Sequence, residues 1–335
     1  MCIGLYTLSH PDYALILCSN RDEFLDRPTE RAKWHTFEPI HDSEASKDPG
    51  REEVAVPPEE LPEEERGKVL SGRDRSAGGT WLGITREGKV GLLTNITEPR
   101  AVYWTTRGEL ASNWLLSDVS LDAFTFNLTS QHHWKSYAGF NLLLLEPKWT
   151  PSRTKEASSA LLSYSGEYAT NSGGGGIITA RLLHEDEVTF VGGITNGIES
   201  LDGTEWPKLV EGTGKLREAL AGLDKDASPE QIIERLSDIL SLHAAEPITQ
   251  RSDLRNTIRV EPFMLPNTAA SGKTKMYGTR LHTFLLVKRT GDVTFVERDA
   301  WVEGEEEGEV RLGSKEDDRV TRFVINRPSS PAATE

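Results

Sequence analysis

The residue with the clearest chemical potential stands second in the chain, in Met1-Cys2-Ile3. If the initiator methionine were removed, Cys2 would carry a free α-amino group beside its own thiol. The amine has a pKa of about 7.7–8.0 and the thiol one of about 8.5, so the amine can act as a base for the thiol. A free cysteine in a first strand is also commonly a small buried hydrophobe. Both interpretations stay open at this point.

An antiparallel hairpin is expected to position this cysteine. Two apolar, strand-like segments are separated by a Pro-Asp turn, and this pattern predicts that they pair. If Leu8 pairs with Tyr13, Cys2 lies opposite Ser19, and antiparallel neighbours are about 5 Å apart. The two segments are residues 3–8 and 14–19.

Charged residues leave the second strand beside Cys2, as Arg21, Asp22 and Glu23. An arginine and carboxylates within a few Å of a thiol and an amine are what is needed to lower a thiol pKa and to hold a base. The alternative is a polar turn after a strand, in which the arginine pairs with a carboxylate at the surface.

Two further polar residues stand at the ends of apolar segments. Asn95 follows the stretch 90–93, where a side-chain amide could donate to a developing oxyanion, a contact worth roughly 3–4 kcal/mol. Turn hydrogen bonds at a strand end are its alternative role. Arg280 precedes an apolar strand in which an unpaired arginine would be costly. A carboxylate such as Asp22, or an anionic ligand, would offset that cost.

A set of short motifs resembles one known family. Asn20-Arg21-Asp22-Glu23-Phe24, followed by Arg27-Pro28-Thr29, resembles the signature of the NRDE family, also called the transport and Golgi organisation protein 2 family. Further blocks agree in order along nearly the whole chain. They are Gly79-Thr80-Trp81-Leu82-Gly83-Ile84, Leu93-Thr94-Asn95, Arg107-Gly108-Glu109-Leu110, Gly139-Phe140-Asn141-Leu142, Gly193-Ile194-Thr195-Asn196, Trp206-Pro207-Lys208-Leu209 and Tyr277-Gly278-Thr279-Arg280.

The resemblance implies a fold and a set of site residues. The N-terminal half of this family is similar to the cysteine type of N-terminal nucleophile (Ntn) hydrolases, which implies an α+β, four-layer αββα sandwich with two antiparallel sheets. In that likeness Cys2 corresponds to the nucleophile and Asp22 to the acid that holds its α-amine. Asn95 corresponds to an oxyanion donor, Asn196 to a second active-site amide and Arg280 to a late arginine. The residues expected to contact a ligand are Asn20, Arg21, Glu23, Trp81 and Arg280.

The same resemblance implies a function in intracellular trafficking. The family is associated with haem mobilisation and with lipid or acyl-coenzyme A homeostasis, so we expect a hydrophobic or amphipathic small molecule to bind near Cys2. Haem would then be a transported ligand, and no cofactor is required. The alternative is an N-terminal cysteine amidohydrolase that cleaves a non-peptide C–N bond through an acyl-enzyme. The expected location is the cytoplasm, with transient contacts to mitochondria or to the ER and Golgi.

Composition limits the classes of partner. A net charge of −15 over 335 residues argues against nucleic acids and anionic membrane surfaces, which attract basic patches. Two cysteines give no disulfide framework and indicate a reducing compartment. No apolar stretch approaches the roughly 18 residues that a membrane span needs, and no signal peptide is expected. No His/Cys cluster has the spacing of a metal site.

The family blocks interleave along the sequence, which favours a single domain over residues 1–327. Residues 42–68 are rich in Glu, Pro and Asp and are predicted to be a disordered acidic insertion, and 328–335 a disordered tail. An N-cap serine, a first-turn proline and a capping-box glutamine at 228–231 predict the start of a helix. A strand is expected at 188–194.

Overall fold

The structure is a computed structural model and describes residues 2–37, 67–99, 101–103, 105–130, 137–151, 160–224, 226–266, 274–303 and 309–327. Nearly all of the acidic insertion predicted at 42–68, and all of the tail predicted at 328–335, lie outside these residues. None of the described helices is long and apolar enough to cross a membrane.

The first of two antiparallel sheets contains the amino-terminal hairpin at its centre. Its strand order in the described structure is β10-β1-β2-β12-β13-β16, with β11 paired to β12. The strands are β1 (Ile3–Thr7), β2 (Tyr13–Phe24), β10 (Gly192–Ile194), β11 (Phe263–Pro266), β12 (Thr274–Lys288), β13 (Asp292–Asp299) and β16 (Arg319–Val324).

The second sheet follows chain order from edge to edge, β3 to β9. Its strands are β3 (Thr29–His35), β4 (Val69–Asp74), β5 (Leu82–Thr85), β6 (Val90–Asn95), β7 (Phe140–Thr150), β8 (Leu161–Thr170) and β9 (Thr179–Leu182). A separate small hairpin consists of β14 (Trp301–Glu303) and β15 (Val310–Leu312).

Helices cover the outer face of each sheet. α1 (Gly108–Leu116) and α2 (Leu121–Ser130) pack on the second sheet, whereas α4 (Pro207–Ala221) and α5 (Pro229–Leu240) pack on the first. Three apolar cores result: one between the sheets and one beneath each helix layer. The expected four-layer αββα sandwich with two antiparallel sheets is confirmed.

The sequence explains why α5 begins and packs where it does. Ser228 accepts a hydrogen bond from the Gln231 backbone N–H at 3.3 Å, and the Gln231 side chain accepts from the Ser228 backbone N–H at 2.8 Å. This capping box satisfies two donors that a helix start leaves open. The buried face of the helix then packs on the first sheet, through Ile232, Ile233, Leu236, Ile239 and Leu240.

The hairpin register differs from the predicted one by two residues. Gly4 lies opposite Ser19 and Ile3 opposite Asn20, so extension of the same register places Cys2 opposite Arg21. The connection between the strands is longer than a tight Pro-Asp turn requires, which moves the pairing along β2. A shift of two preserves the alternation of faces. The shift therefore brings the charged end of β2 closer to Cys2 than expected.

The strand expected at 188–194 is largely wrong. Its start belongs to a short helix, α3 (Glu185–Thr189), and only Gly192–Ile194 form a strand. The Glu187 carboxylate accepts a hydrogen bond from the His184 backbone N–H at 2.7 Å. Acidic side chains in the first turn also favour a helix start, because the macrodipole is positive there.

A bulge in β12 shapes the sheet beside the end of β2. Asp22 pairs with Thr279 and Arg21 with Leu281, so Arg280 is the extra residue between them. A bulge of this kind bends the strand and redirects side chains locally. It separates the neighbours of Asp22 from the surroundings of Arg280.

Candidate functional site

A cavity of about 470 Å³ opens where β2 and β6 end. Its walls come from Cys2, the end of β2, the segment before β5, the segment after β6 and the start of β12. Its lining includes Cys2, Arg21, Asp22, Glu23, Arg27, Asp74, Trp81, Asn95, Glu98, Arg107, Asn196, Arg251 and Tyr277.

The Cys2 thiol lies in a largely desolvated position at this cavity. Burial raises the pKa of the thiol, and the nearby Asp22 carboxylate raises it further. A hydrogen bond from the Asp22 backbone N–H and the positive charge of Arg21 act in the opposite direction. Desolvation is the largest of these effects, so the thiol is held mainly protonated unless a base or a ligand changes its surroundings.

Asp22 is fixed by its neighbours on β12. The Thr279 hydroxyl donates to the Asp22 carboxylate at 2.6 Å, and the Tyr277 hydroxyl donates to the Asp22 backbone carbonyl at 3.2 Å. Thr279 in turn accepts from the Val260 backbone N–H at 2.8 Å. The carboxylate beside Cys2 is therefore held by a buried, hydrogen-bonded strand pair.

Arg21 stacks on Trp81, with its guanidinium carbon 4.0 Å from the ring centroid. Arg21 is only 7% exposed, and burial lowers the pKa of its guanidinium. Cation–π stacking is a common way to hold a desolvated arginine. The pair forms part of the wall between this cavity and a second, smaller one, because both residues line both cavities.

The two asparagines predicted at the site are joined to each other. The Asn196 side-chain N–H donates to the Asn95 backbone carbonyl, and the Asn196 backbone carbonyl accepts from the Thr97 N–H at 3.0 Å. The Asn196 side-chain oxygen is buried and has no hydrogen-bond partner among the described residues. The ends of β6 and β10 thus present two amides to the cavity that contains Cys2.

The structure places Asn20 away from the cavity, although it was predicted to contact a ligand. Its side-chain N–H groups donate to the Leu240 and Ile258 carbonyls, each at 2.9 Å, and its oxygen lies 2.6 Å from His282 Nδ1. Side chains alternate across a strand, so Asn20 faces the helix layer while its neighbour Arg21 faces the cavity. The contacts of Asn20 therefore fasten the chain around α5 to the sheet.

Arg280 also lies outside this cavity and lines the second one. One of its guanidinium nitrogens donates to the Arg27 carbonyl and to the Thr29 hydroxyl. The bulge at Arg280 accounts for this placement. Of the other predicted residues, the cavity brings together Cys2, Arg21, Asp22, Glu23, Trp81, Asn95 and Asn196.

Lys208 is a site residue that the sequence interpretation did not identify. It is fully buried in the first turn of α4, and its ammonium donates to the Cys2 carbonyl at 3.1 Å. Burial lowers the pKa of this lysine, while Asp22 and Cys2 raise it. The motif Trp206-Pro207-Lys208-Leu209 does not indicate the contact with Cys2, because a lysine is almost never fully buried.

The cavity lining carries equal numbers of positive and negative side chains. Its lining includes four arginines and four carboxylates, which are Arg21, Arg27, Arg107, Arg251, Asp22, Glu23, Asp74 and Glu98. Arg27 and Asp74 form an ion pair at 2.8 Å, and burial lowers the pKa of Arg107 although Glu98 opposes this shift. No histidine lines the cavity in the described part of the chain, and the described residues contain no group of three side chains suited to a metal ion.

Two solved structures share part of this architecture at low similarity. An N-acylethanolamine-hydrolyzing acid amidase ortholog from Caenorhabditis elegans has 9% identity and a TM-score of 0.40, with 70% of this chain and 86% of that chain covered. The mutant C2A conjugated bile acid hydrolase from Clostridium perfringens has 9% identity and a TM-score of 0.41, with 97% of each chain covered. Likenesses at this level bear on neither activity nor ligand.

Sequence comparisons extend over most of the chain. A mouse protein, Transport and Golgi organization 2 homolog, is 28% identical over 309 residues, which are 89% of this chain and 92% of the relative. The human homolog is 28% identical over 312 residues with the same coverage. An uncharacterised protein of Saccharomyces cerevisiae is 24% identical over 346 residues, covering 97% of this chain and 100% of its own length.

The family itself is identified by a model that spans most of the sequence. The model described as Transport and Golgi organisation 2 matches residues 1–46 and 56–301, which include Cys2, the charged end of β2, both asparagines and Lys208. This match confirms the resemblance drawn from the short motifs. The chain belongs to the Transport and Golgi organisation 2 family.

Proposed function

We propose that this protein is an intracellular trafficking protein that binds an amphipathic acyl compound, such as an acyl-coenzyme A or a lipid, in the cavity at Cys2. The observation that carries the proposal is the lining of the 470 Å³ cavity, which combines a thiol with four arginines and four carboxylates. Ligand sites typically combine a concave shape with a few polar groups that fix orientation. A charged lining favours a ligand with a polar part over a wholly apolar one.

Of the two ligand classes associated with the family, the cavity favours the acyl compound over haem. A thioester or ester carbonyl and its polar head have partners in the arginines and in the amides of Asn95 and Asn196. Haem iron is commonly held by histidine, which the described cavity lacks, and a thiolate ligand is disfavoured because burial raises the pKa of Cys2. Haem as a transported ligand is therefore the weaker form of the proposal.

Equilibrium binding tests this proposal. Palmitoyl-coenzyme A, coenzyme A and haem would each be titrated into the purified protein by isothermal calorimetry. We expect palmitoyl-coenzyme A to bind in the micromolar range with one site per chain. Arg107→Gln should weaken it at least about tenfold, since one charge-assisted hydrogen bond contributes about 1.5–3 kcal/mol and about 1.4 kcal/mol corresponds to tenfold.

The matched control is Arg217→Gln, because Arg217 is exposed on α4 and does not line the cavity. It should leave the affinity unchanged. The proposal fails if neither palmitoyl-coenzyme A nor haem binds at micromolar concentrations. It also fails if Arg107→Gln and Arg217→Gln bind alike.

A second candidate function is amide hydrolysis, and the cluster around Cys2 favours it specifically. With Met1 removed, the α-amine of Cys2 would take the thiol proton, and the thiolate sulfur would attack an amide carbonyl carbon. The amine of the substrate leaves with the proton that the α-amine of Cys2 had taken. Water then hydrolyses the acyl thioester, which releases a carboxylate and restores the Cys2 thiol. The side-chain amides of Asn95 and Asn196 line the same cavity and are the candidates to donate hydrogen bonds to the oxyanion that forms on the carbonyl oxygen.

Intact mass spectrometry separates the two functions. If Met1 is retained in the mature protein, the nitrogen of Cys2 is an amide and cannot act as a base, so the hydrolase candidate fails. If Met1 is removed, incubation with a fatty-acyl p-nitroanilide should add one acyl group and release nitroaniline. Cys2→Ala should show neither product.

A further inference from the structure

A second cavity of about 300 Å³ lies on the other side of the Arg21–Trp81 pair. It is bounded by the segment from Leu25 to Arg31, the β12 bulge, β13 and the small β14–β15 hairpin. The acyl-binding proposal does not use this space. Its separate lining therefore raises the question of what it could hold.

Two of its arginines have no carboxylate partner within ion-pair distance among the described residues. Arg21 is 7% exposed and stacks on Trp81, and Arg280 donates only to neutral oxygens. Burial lowers the pKa of Arg280 and the charge of Arg21 lowers it further, whereas Glu23, Asp299 and Asp26 act in the opposite direction without forming an ion pair with it. Two desolvated guanidinium groups around one cavity, each opposing the charge of the other, are costly without a counter-ion.

The carboxylates of the cavity are already engaged by other groups. Asp299 is held by both terminal nitrogens of Arg319, at 2.6 and 3.0 Å. Glu297 accepts from the Ala32 backbone N–H at 2.8 Å and lies 3.6 Å from Arg319. Neither of them lies within ion-pair distance of Arg21 or Arg280.

The third carboxylate, Glu30, lies near Lys33 at 3.8 Å and near Arg75 at 3.9 Å. Both of these partners stand outside the cavity lining. The acidic side chains at the second cavity are thus matched by cations other than Arg21 and Arg280. The lining contains four arginines, Arg21, Arg31, Arg280 and Arg319, and three carboxylates, so its formal charge is positive in a chain whose net charge is −15.

Trp301, which carries a donor left unsatisfied by the described residues, lines the same space. The indole nitrogen of Trp301 is buried and has no hydrogen-bond partner among the described residues. A buried indole N–H usually finds an acceptor, because leaving it unpaired costs about 1–3 kcal/mol. A ligand that supplies oxygen acceptors would satisfy this group together with the arginines.

We propose that the second cavity binds an anionic group, a carboxylate or a phosphoryl group, between Arg21 and Arg280, with the Trp301 indole N–H as an additional donor. Guanidinium groups suit such anions because their N–H fork matches two oxygens at once. Because Arg21 and Trp81 line both cavities, a ligand in either cavity would contact this pair of side chains. The site does not depend on the acyl-binding proposal.

Calorimetric titration with simple anions tests this site. Inorganic phosphate and acetate would be titrated separately into the wild-type protein at low ionic strength. We expect one site per chain for at least one anion, with a Kd below roughly 1 mM. Tighter binding of phosphate would indicate a phosphoryl ligand, and tighter binding of acetate would indicate a carboxylate ligand. The inference is overturned if neither anion binds.

Two variants and a control locate the binding. Arg280→Gln should weaken the anion at least tenfold, and Trp301→Phe should weaken it less while keeping the ring. Arg322→Gln, at an exposed surface ion pair with Glu230, should have no effect. Equal affinity in all four proteins would place any binding elsewhere and overturn the inference. Because neither probe has an acyl chain, failure here leaves the acyl-binding test untouched.

Discussion

At the residue scale, Cys2 is influenced by a positive charge that lies outside the cavity lining. The Lys208 ammonium donates to the Cys2 carbonyl and is itself fully buried. A buried lysine without compensation would tend to lose its proton. The negative charges of Asp22 and of an ionised Cys2 both favour its charged form. We therefore interpret Lys208 as a positioning residue that favours the thiolate.

We expect Lys208→Met to raise the pKa of the Cys2 thiol, since the substitution removes a nearby positive charge and keeps the length of the side chain. A shift of at least about one pKa unit is typical for such a neighbour. Alkylation of Cys2 by iodoacetamide at neutral pH should then slow about tenfold. The measurement is the pH profile of the alkylation rate, read from the mass of the peptide that contains Cys2.

Two internal comparisons guard this experiment. Lys215→Met changes an exposed lysine of the same helix and should leave the profile unchanged. Cys18 is fully buried and should stay unmodified unless the protein unfolds. An unaltered pH profile in Lys208→Met, with Cys18 still protected, would contradict the assigned role.

Individual site residues were predictable only where the sequence pattern indicated both the strand that carries them and their spacing along it. Cys2, Arg21 and Asp22 were expected to meet because a hairpin places them together whichever of the two registers is correct. The contact of Lys208 depends on how α4 packs against β1, which no local pattern encodes. Side chains of β2 point alternately to the two faces of the sheet. The motif around Asn20 does not show which face is covered by helices, so it could not predict that the Asn20 side chain points away from the cavity.

At the scale of elements, β12 links the site to the core of the first sheet. Its Thr279 hydroxyl donates to the Asp22 carboxylate and accepts from the Val260 N–H. One side chain therefore joins β2, β12 and the segment before β11. Its loss would leave buried polar groups on two other segments.

We expect Thr279→Val to lower the free energy of unfolding by about 1–3 kcal/mol, the cost of leaving a buried polar group without its partner. The change is nearly isosteric, so packing should be largely preserved. Urea denaturation followed by tryptophan fluorescence measures the effect. Thr321→Val on the edge strand β16 is the control and should change stability by less than about 0.5 kcal/mol. Equal stability of the two variants would refute the linking role of Thr279.

Elements with strong local signals were predictable, and those defined by tertiary pairing were not. The capping box of α5 and its apolar face gave the correct start and buried side. The segment at 188–194 looked strand-like, but capping and first-turn acidic residues made its beginning helical. The β12 bulge at Arg280 has no signature in the sequence, since it arises from the pairing with β2.

At the scale of the whole molecule, a buried histidine couples the fold to pH. His282 is 4% exposed and donates from Nδ1 to the Asn20 oxygen, the orientation that leaves both Asn20 N–H groups for the backbone carbonyls. Burial lowers the pKa of His282 to about 3, and Arg298 and Arg259 add to this shift. The folded protein thus excludes a proton that the unfolded chain binds below about pH 6.5.

We expect the free energy of unfolding to fall as the pH decreases from about 6.5 toward 3, by up to about 1.4 kcal/mol per pH unit from His282. His282→Gln should be less stable at neutral pH, because it alters the contact with Asn20, but it should reduce this slope. The measurement is urea denaturation at intervals across this range. His184→Gln, at an exposed position, should retain the wild-type slope. A wild-type slope in His282→Gln would contradict the assignment.

Protection of Cys2 from alkylation by a bound acyl compound tests the central claim most directly. Iodoacetamide would be applied to the wild-type protein with and without palmitoyl-coenzyme A at ten times its measured Kd. If the acyl compound occupies the cavity at Cys2, the alkylation rate should fall about tenfold, because about one chain in eleven remains unoccupied. An unchanged rate at saturating ligand would show that the compound binds elsewhere and would contradict the account.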